Sequence, residues 1–130
     1  MRNEETMISV LLVDDQELFR EIARSMFEST GEFKVVAEAV DGIEAVSAYS
    51  QHSPDFVLMD VQMARMNGIE AARKILQNDP RANVVLISMR NDPEYAHAAA
   101  QLGCRGFVAK RDLDVQTIKR LVDGSSVAAA

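Results

Sequence analysis

Five short apolar runs, each bounded by turn-forming residues, constrain the fold of this chain more strongly than any other feature. They are rich in valine, isoleucine, leucine and phenylalanine and occupy residues 7–13, 33–37, 56–59, 84–87 and 106–109. Strands that are covered on both faces read as nearly continuous apolar runs, as they do in parallel sheets. The pattern therefore predicts five strands that lie inside the molecule.

Helical patterns separate these predicted strands. Leu18, Ile22 and Met26 recur at helical spacing after the first run, and an apolar stripe follows each later run as well. Asp92 followed by Pro93 is typical of an N-cap and a first helical position, and Gly103 ends that helix. Strand and helix alternate five times, which predicts an α/β fold with a five-stranded parallel sheet and helices on both faces.

One domain accounts for the length of the chain. A chain of 130 residues buries a single core, and we assign residues 7–123 to it. Residues 1–6 are interpreted as an N-terminal tail and residues 124–130 as a linker stub or tail. A single cysteine excludes an internal disulfide, and two scattered histidines are too few for a zinc site.

The charge balance excludes several kinds of partner. Fourteen basic and twenty acidic side chains give a net charge of −6, and no run of lysine or arginine marks a surface for nucleic acid or an anionic membrane. The N-terminus lacks the pattern of an export signal. We therefore expect a cytoplasmic protein that binds neither nucleic acid nor a membrane directly.

Polar side chains follow four of the five predicted strands. Asp14 and Asp15 end the first strand, Asp60 the third, Ser88 the fourth and Lys110 the fifth. In open α/β sheets, ligands bind at the carboxyl ends of the strands. Any one of these residues alone is explained as a helix cap, a turn residue or a solvated surface charge. Because all five are predicted at one edge of the sheet, we expect them to form one site.

The chemistry of this set indicates a site for an anionic group. Three neighbouring carboxylates repel one another unless a cation lies among them, and oxygen ligands without histidine or cysteine suit Mg²⁺. Asp60 is a candidate nucleophile, since an aspartate accepts a phosphoryl group as an acyl phosphate. Asp14 and Asp15 would hold the metal, Lys110 would supply a second positive charge, and Ser88 would donate a hydrogen bond from its hydroxyl group.

An ordered set of residues narrows this interpretation to a family. The set consists of residues 10–15 and, after them, Asp60, Met63, Met66, Asn67, Gly68, Ser88 and Lys110. Over residues 7–123 the chain resembles the receiver domain of two-component response regulators, and residues 11–20 are similar to receivers of the NarL/LuxR type. The resemblance implies a flavodoxin-like (βα)5 fold.

The resemblance also implies a function. Asp60 would accept a phosphoryl group from a sensor histidine kinase or a phosphotransfer protein. Mg²⁺ would be held by Asp15, Asp60 and the backbone carbonyl of Gln62, with Asp14 orienting the metal shell. Such a chain is a signalling domain that assists its own phosphorylation and dephosphorylation, and it is not an enzyme in the usual sense.

Further residues are implied to transmit or tune the signal. Ser88 would move toward the phosphoryl group and Phe107 would rotate into the space behind it, which would change the surface of the fourth helix, fifth strand and fifth helix. That surface is a candidate for homodimerisation or for contact with an output domain. NarL/LuxR-type receivers usually precede a helix-turn-helix DNA-binding domain, which this chain does not include. Gln62, Met89 and Arg90 are interpreted as tuning the lifetime of the phosphorylated state.

Three positions depart from the family pattern. Ala64 and Arg111 stand where the family often has proline, and Met89 is bulkier than the small residue the family prefers. A cis peptide without proline costs about 2.5–4 kcal/mol, so the Lys110–Arg111 bond is left open between cis and trans. The departures keep a second interpretation open, a receiver-fold module that binds other proteins without phosphorylation.

Two further alternatives belong to other functional classes. A flavin or nucleotide carrier with this topology needs glycine, serine or threonine amides after the first strand, where this chain has two aspartates. A phosphatase with an aspartyl nucleophile places that nucleophile after the first strand, usually with another aspartate two residues on; Gln16 and Glu17 occupy those positions here. A bound yellow cofactor would support the flavin carrier. Turnover of a phosphomonoester would support the phosphatase.

Overall fold

Strands and helices alternate along the chain as the sequence predicts. The computed structural model describes residues 6–129, with side chains for residues 6–123, so residues 1–5 of the predicted N-terminal tail lie outside the described residues. The elements are β1 (Ile8–Val13), α1 (Glu17–Glu28), β2 (Phe33–Ala39), α2 (Gly42–His52), β3 (Phe56–Asp60), α3 (Gly68–Asn78), β4 (Val84–Ser88), α4 (Pro93–Leu102), β5 (Gly106–Ala109) and α5 (Val115–Ala129).

The five strands form one parallel sheet in the order β2-β1-β3-β4-β5. The chain therefore moves outward from β1 to β2 and then crosses to β3 on the other side, so the strand order switches direction between β1 and β3. Ligand sites in such sheets lie at the carboxyl edge next to this switch. Asp60 pairs with Ile87 in β4, and Ser88 pairs with Ala109 in β5.

Helices cover both faces of the sheet, as predicted. Alternate residues of β1 enter two separate cores, because successive side chains of a strand point to opposite faces. Leu11 and Val13 pack with buried residues of α2, α3 and α4, whereas Val10 and Leu12 pack with α1 and α5. The predicted flavodoxin-like (βα)5 architecture is confirmed.

The beginning of α3 is fixed by a close backbone approach to Asp60. Gly68 donates a hydrogen bond from its N–H to the carbonyl of Val61 at 2.9 Å. A Cβ atom at Gly68 would lie 2.1 Å from the carbonyl oxygen of Asp60, so only glycine fits there. Asn67 and Glu70 form a capping box at the start of the same helix, which fixes where the β3–α3 loop ends.

Three local expectations are refined. Asp92 is the N-cap residue of α4, but its side chain makes no capping hydrogen bond and instead pairs with Arg90 at 3.1 Å. No peptide bond among residues 6–129 is cis, so Lys110–Arg111 is trans. The backbone of residues 124–129 continues α5 and residue 130 lies outside the described residues, so the assignment of residues 124–130 to a linker or tail stays a prediction. None of the described helices combines the length and apolar character needed to cross a membrane.

Candidate functional site

Asp60 is a buried carboxylate with incomplete charge compensation. It is the last residue of β3, and only 6% of its surface is exposed. Its Oδ1 accepts a weak hydrogen bond from the backbone N–H of Gln62 at 3.3 Å, and Lys110 Nζ lies 3.5 Å from its Oδ2. Burial and the charge of Asp14 raise the pKa of Asp60 to about 6, and Lys110 only partly offsets them.

Asp14 and Asp15 follow β1 at the adjacent strand end. Asp14 is buried, and its Oδ1 accepts a hydrogen bond from the N–H of Gln16 at 2.9 Å. Arg20 donates to the backbone carbonyl of Asp14 at 2.7 Å, which anchors this turn to α1. Asp15 is exposed, and carboxylate oxygens of Asp14, Asp15 and Asp60 lie within 4.8 Å of one another. The structure thus brings together the three predicted carboxylates.

Lys110 points into this cluster rather than into solvent. It begins a 3-10 turn directly after β5, and its side chain is only 4% exposed. The ammonium nitrogen lies 2.7 Å from Asp14 Oδ2 and 4.3 Å from the centre of the Phe19 ring. Its position beside an aromatic face adds a cation–π attraction. Lys110 thus reaches the carboxylates although its bond to Arg111 is trans and no proline follows it.

Ser88 is fully buried at the end of β4, the strand next to β3. Its hydroxyl oxygen accepts a hydrogen bond from the N–H of Arg90 at 3.1 Å. The side chain of Arg90 extends outward, 62% exposed, and pairs with Asp92. Met89 is 73% exposed, so its side chain lies at the surface. Neither side chain has a described contact with the carboxylates, and their predicted tuning role stays a prediction.

Phe107 lies on β5 opposite Leu86 of β4 and is partly buried. Its ring packs against Tyr95 of α4, with 5.6 Å between the ring centres. The Tyr95 hydroxyl oxygen accepts a hydrogen bond from Gln62 Nε2 at 3.0 Å. Gln62, the predicted tuning residue after Asp60, and Phe107, the predicted switch residue, are therefore joined through one side chain of α4.

Sequence reasoning missed several residues that support the site. Phe19 in α1 and Tyr95 in α4 contact residues of the site, but nothing in their local sequence distinguishes them from other residues of an apolar helical face. A link between the loops after β2 and β3 was also missed. Asp41, the N-cap of α2, pairs with Arg65, whose backbone has the left-handed φ of 66°. Only Asp41 carried a local signal, as an aspartate before a glycine and an apolar stripe.

The donor set fits Mg²⁺. Every side-chain ligand candidate is a carboxylate oxygen, which suits a hard divalent cation. Asp14 Oδ2 is buried, and Lys110 Nζ at 2.7 Å is its described ionic partner. Three carboxylates around one buried ammonium leave uncompensated negative charge, which together with burial raises the pKa of Asp60, and a divalent cation would stabilise such a cluster.

Comparison with known proteins decides the family. The family model described as "Response regulator receiver domain" matches residues 10–123. The chain belongs to this family. Its similarity to the LuxR/NarL group is also confirmed: 35% of residues are identical to a solved two-component response regulator of the LuxR family from Aurantimonas, with a TM-score of 0.85 over 91% of this chain and 86% of that one. Receiver domains are signalling modules of two-component systems.

Two more relatives define what the receiver resembles. The transcriptional regulatory protein DegU of Brevibacillus brevis is 32% identical over 125 residues, which cover 94% of this chain and 53% of that protein. The chain thus spans about half the length of DegU. The CheX–CheY–BeF3–Mg²⁺ complex from Borrelia burgdorferi contains a chain that is 29% identical, with a TM-score of 0.81 over 92% of this chain and 89% of that one.

Proposed function

We propose that this receiver is a phosphoacceptor switch in which Asp60 takes a phosphoryl group from a sensor histidine kinase or a phosphotransfer protein. The observation that carries the proposal is the position of Asp60. It is buried at the carboxyl edge beside the strand-order switch, within reach of two further carboxylates and a buried lysine. The nucleophile, the opposing cation and a candidate metal site come from three different strands and meet at one point.

The transfer step needs the carboxylate form of Asp60. A carboxylate oxygen attacks the phosphorus of a phosphohistidine, a P–O bond forms, and the P–N bond breaks. The electron pair of that bond returns to the imidazole, which takes up a proton. The raised pKa of about 6 still leaves Asp60 ionised at neutral pH. Lys110 is placed to balance charge on the phosphoryl oxygens.

Asp15, Asp60 and the backbone carbonyl of Gln62 would hold Mg²⁺, with Asp14 orienting the metal shell. The metal would supply positive charge to the phosphoryl oxygens during transfer. The presence of Mg²⁺ in the Borrelia CheX–CheY complex, which contains a similar chain, supports Mg²⁺ as the ion. Asp14 is also paired with Lys110 Nζ at 2.7 Å, which supports a role for Asp14 in orienting the metal shell while Asp15, Asp60 and the Gln62 carbonyl would hold the ion.

Ser88 and Phe107 would transmit phosphorylation of Asp60 to the surface of the domain. A phosphoryl group on Asp60 adds acceptor oxygens, and Ser88 binds one of them by moving toward it. Phe107 then fills the space that Ser88 leaves, which changes its packing against Tyr95 and the surface formed by α4, β5 and α5. That surface would contact an output domain, a partner protein or a second copy of the chain.

The direct test is the intact mass of the protein after incubation with Mg²⁺ and a small-molecule phosphodonor. We expect a gain of one phosphoryl group by the unmodified chain and by Asp123→Asn, which removes an exposed carboxylate from α5. Asp60→Asn should gain none. If the folded chain gains nothing, and candidate kinases also fail, the phosphorylation-independent interaction module becomes the better interpretation.

A further inference from the structure

Tyr95 contacts two residues that sequence analysis assigned to separate tasks. Its hydroxyl oxygen accepts the hydrogen bond from Gln62 Nε2 at 3.0 Å, and its ring packs against Phe107 at 5.6 Å between centres. Gln62 is exposed, whereas Tyr95 and Phe107 are partly buried. One side chain of α4 therefore connects the loop that follows the phosphoacceptor strand with the predicted switch position.

The Gln62–Tyr95 bond spans the gap between two neighbouring loops. Gln62 lies in the loop after β3, and Tyr95 lies in the first turn of α4, shortly after β4. Because β3 and β4 are adjacent parallel strands, both loops lie at the carboxyl edge, and the bond to Tyr95 draws the Gln62 side chain toward the β4 side of Asp60. The backbone N–H of Gln62 also donates to Asp60 Oδ1, so the bridge begins two residues from the reacting carboxylate.

We propose that Tyr95 is a positioning residue: it holds Gln62 across the β4 side of the Asp60 site, slows loss of the phosphoryl group, and makes this closure depend on the position of Phe107. The inference rests on the proposed function and deepens it. Through Tyr95, the packing of Phe107 at the α4 surface would affect how long Asp60 stays phosphorylated.

The reaction that the bridge restrains is hydrolysis of the acyl phosphate. The oxygen of a water molecule attacks phosphorus, the bond from phosphorus to the Asp60 oxygen breaks, and that oxygen keeps the electron pair as carboxylate. The water proton leaves with inorganic phosphate or to solvent. A side chain held over one flank of the site reduces the positions from which water attacks, whereas a released Gln62 leaves that flank open.

The first test measures the rate of phosphoryl loss in two variants. Tyr95→Phe removes the hydroxyl but keeps the ring against Phe107, and Gln62→Leu removes the amide but keeps the backbone carbonyl. Each should accelerate loss by about threefold or more, the effect of breaking one ordinary hydrogen bond. The double variant should be no faster than either single variant, because both changes break the same bond.

Tyr49→Phe is the matched control. It removes the hydroxyl of the chain's other tyrosine, which donates to Asp79 at 2.6 Å between α2 and the end of α3. Its rate of phosphoryl loss should equal that of the unmodified chain. Additive effects of Tyr95→Phe and Gln62→Leu, or an unchanged rate in Tyr95→Phe, would overturn the bridge.

The second test reads Tyr95 itself. The chain contains no tryptophan, so in Tyr49→Phe the tyrosine emission comes from Tyr95 alone. Phosphodonor and Mg²⁺ should change that emission, and the added change Asp60→Asn should abolish the response. Constant emission from a protein whose mass shows phosphorylation would overturn the coupling to Phe107. Absence of any phosphorylation would instead contradict the proposed function, so the two failures are distinguishable.

Discussion

The two edges of the one sheet bury side chains of opposite kinds. At the amino edge, Phe33 and Phe56 begin β2 and β3, and Phe27 near the end of α1 joins them, with ring centres 5.0–6.0 Å apart. At the carboxyl edge, the sheet instead buries the charged side chains of Asp14, Asp60 and Lys110.

The comparison shows how the fold separates stability from function. The three phenylalanines are at most 1% exposed, and the tilted and edge-to-face contacts of their rings add to the burial of large apolar surfaces. The carboxyl edge holds an aspartate that burial disfavours in its charged form. The amino edge therefore contributes to the stability of the domain. The carboxyl edge buries negative charge that a bound cation would compensate.

The largest expected effect is at the amino edge. Phe56→Ala should reduce the free energy of unfolding by about 3–5 kcal/mol, because it removes a fully buried ring and leaves a cavity. Urea denaturation measures this. The control Met89→Ala truncates a side chain that is 73% exposed at the other edge and should stay within about 0.5 kcal/mol. If Phe56→Ala does not fold, Phe56→Leu should show a smaller loss of unfolding free energy. A loss no larger than that of Met89→Ala would contradict the stabilising role of the amino edge.

At the carboxyl edge, we expect a substitution to increase the free energy of unfolding rather than reduce it. Asp60→Asn removes the disfavoured charge and should increase the free energy of unfolding by roughly 1–2 kcal/mol at pH 7.5 in the presence of a chelator. The sign follows from linkage: the folded pKa is about 6 and the unfolded one lower, so the folded state binds more protons between them and loses stability as pH rises through that range.

The gain from Asp60→Asn should therefore shrink as the pH falls from 7 toward 4, where the aspartate is protonated in the folded protein. Met89→Ala, which changes no ionisable group, should show no such trend. If Asp60→Asn instead lowers the free energy of unfolding at neutral pH, the buried charge of Asp60 does not destabilise the fold, and the proposed difference between the two edges is wrong.

Asp41 is another buried acid near the carboxyl edge, but unlike Asp60 its charge is balanced by hydrogen bonds and an ion pair. Its side chain caps α2 by accepting from the N–H of Glu44 at 2.9 Å, and Arg65 pairs with it. These hydrogen bonds lower the pKa of Asp41. Asp41→Ala should destabilise the fold by about 1 kcal/mol at neutral pH, while Asp41→Asn should lose less because asparagine also caps helices.

The pH dependence of Asp41 has the reverse sign from that of Asp60. Because its folded pKa is lowered, its contribution is present above the ordinary aspartate range and disappears as the pH falls through the folded pKa. The difference between Asp41→Ala and the unmodified chain should therefore vanish in acid. A difference that persists unchanged at pH 2.5 would show that packing alone is responsible.

The smallest effect is expected from Arg90→Ala. The Arg90 side chain pairs with Asp92 at the surface and has no described contact with the carboxylates. We expect a change of a fewfold in the rate of phosphoryl loss, with phosphorylation itself retained, as measured by the decay of the phosphorylated mass. Equal decay rates in Arg90→Ala and the unmodified chain would remove Arg90 from the set of tuning residues.

The fold was predictable because its signals are local. Apolar runs such as residues 84–87 and helix boundaries such as Pro93 and Gly103 depend on neighbouring residues alone. The convergence of Asp14, Asp60 and Lys110 was also predictable, since the carboxyl ends of parallel strands meet at one edge.

The supporting contacts of the site were not predictable in the same way. Phe19 lies over Lys110 although 91 positions separate them in the chain. Gln62 bonds to Tyr95 across 33 positions, and Asp41 pairs with Arg65 across 24. Each contact depends on the side-chain directions of two distant loops or helices, which periodicity does not specify. The orientation of Lys110 without a following proline likewise required the structure.

We infer that the charge buried at the carboxyl edge serves to form an acyl phosphate on Asp60. The most direct measurement is borohydride reduction of the phosphorylated protein, followed by digestion and mass spectrometry of the peptides, because reduction converts the modified aspartate to homoserine. We expect homoserine at position 60 and nowhere else. Reduction at position 14 or 15, or at no aspartate in a protein whose mass shows a phosphoryl group, would contradict it.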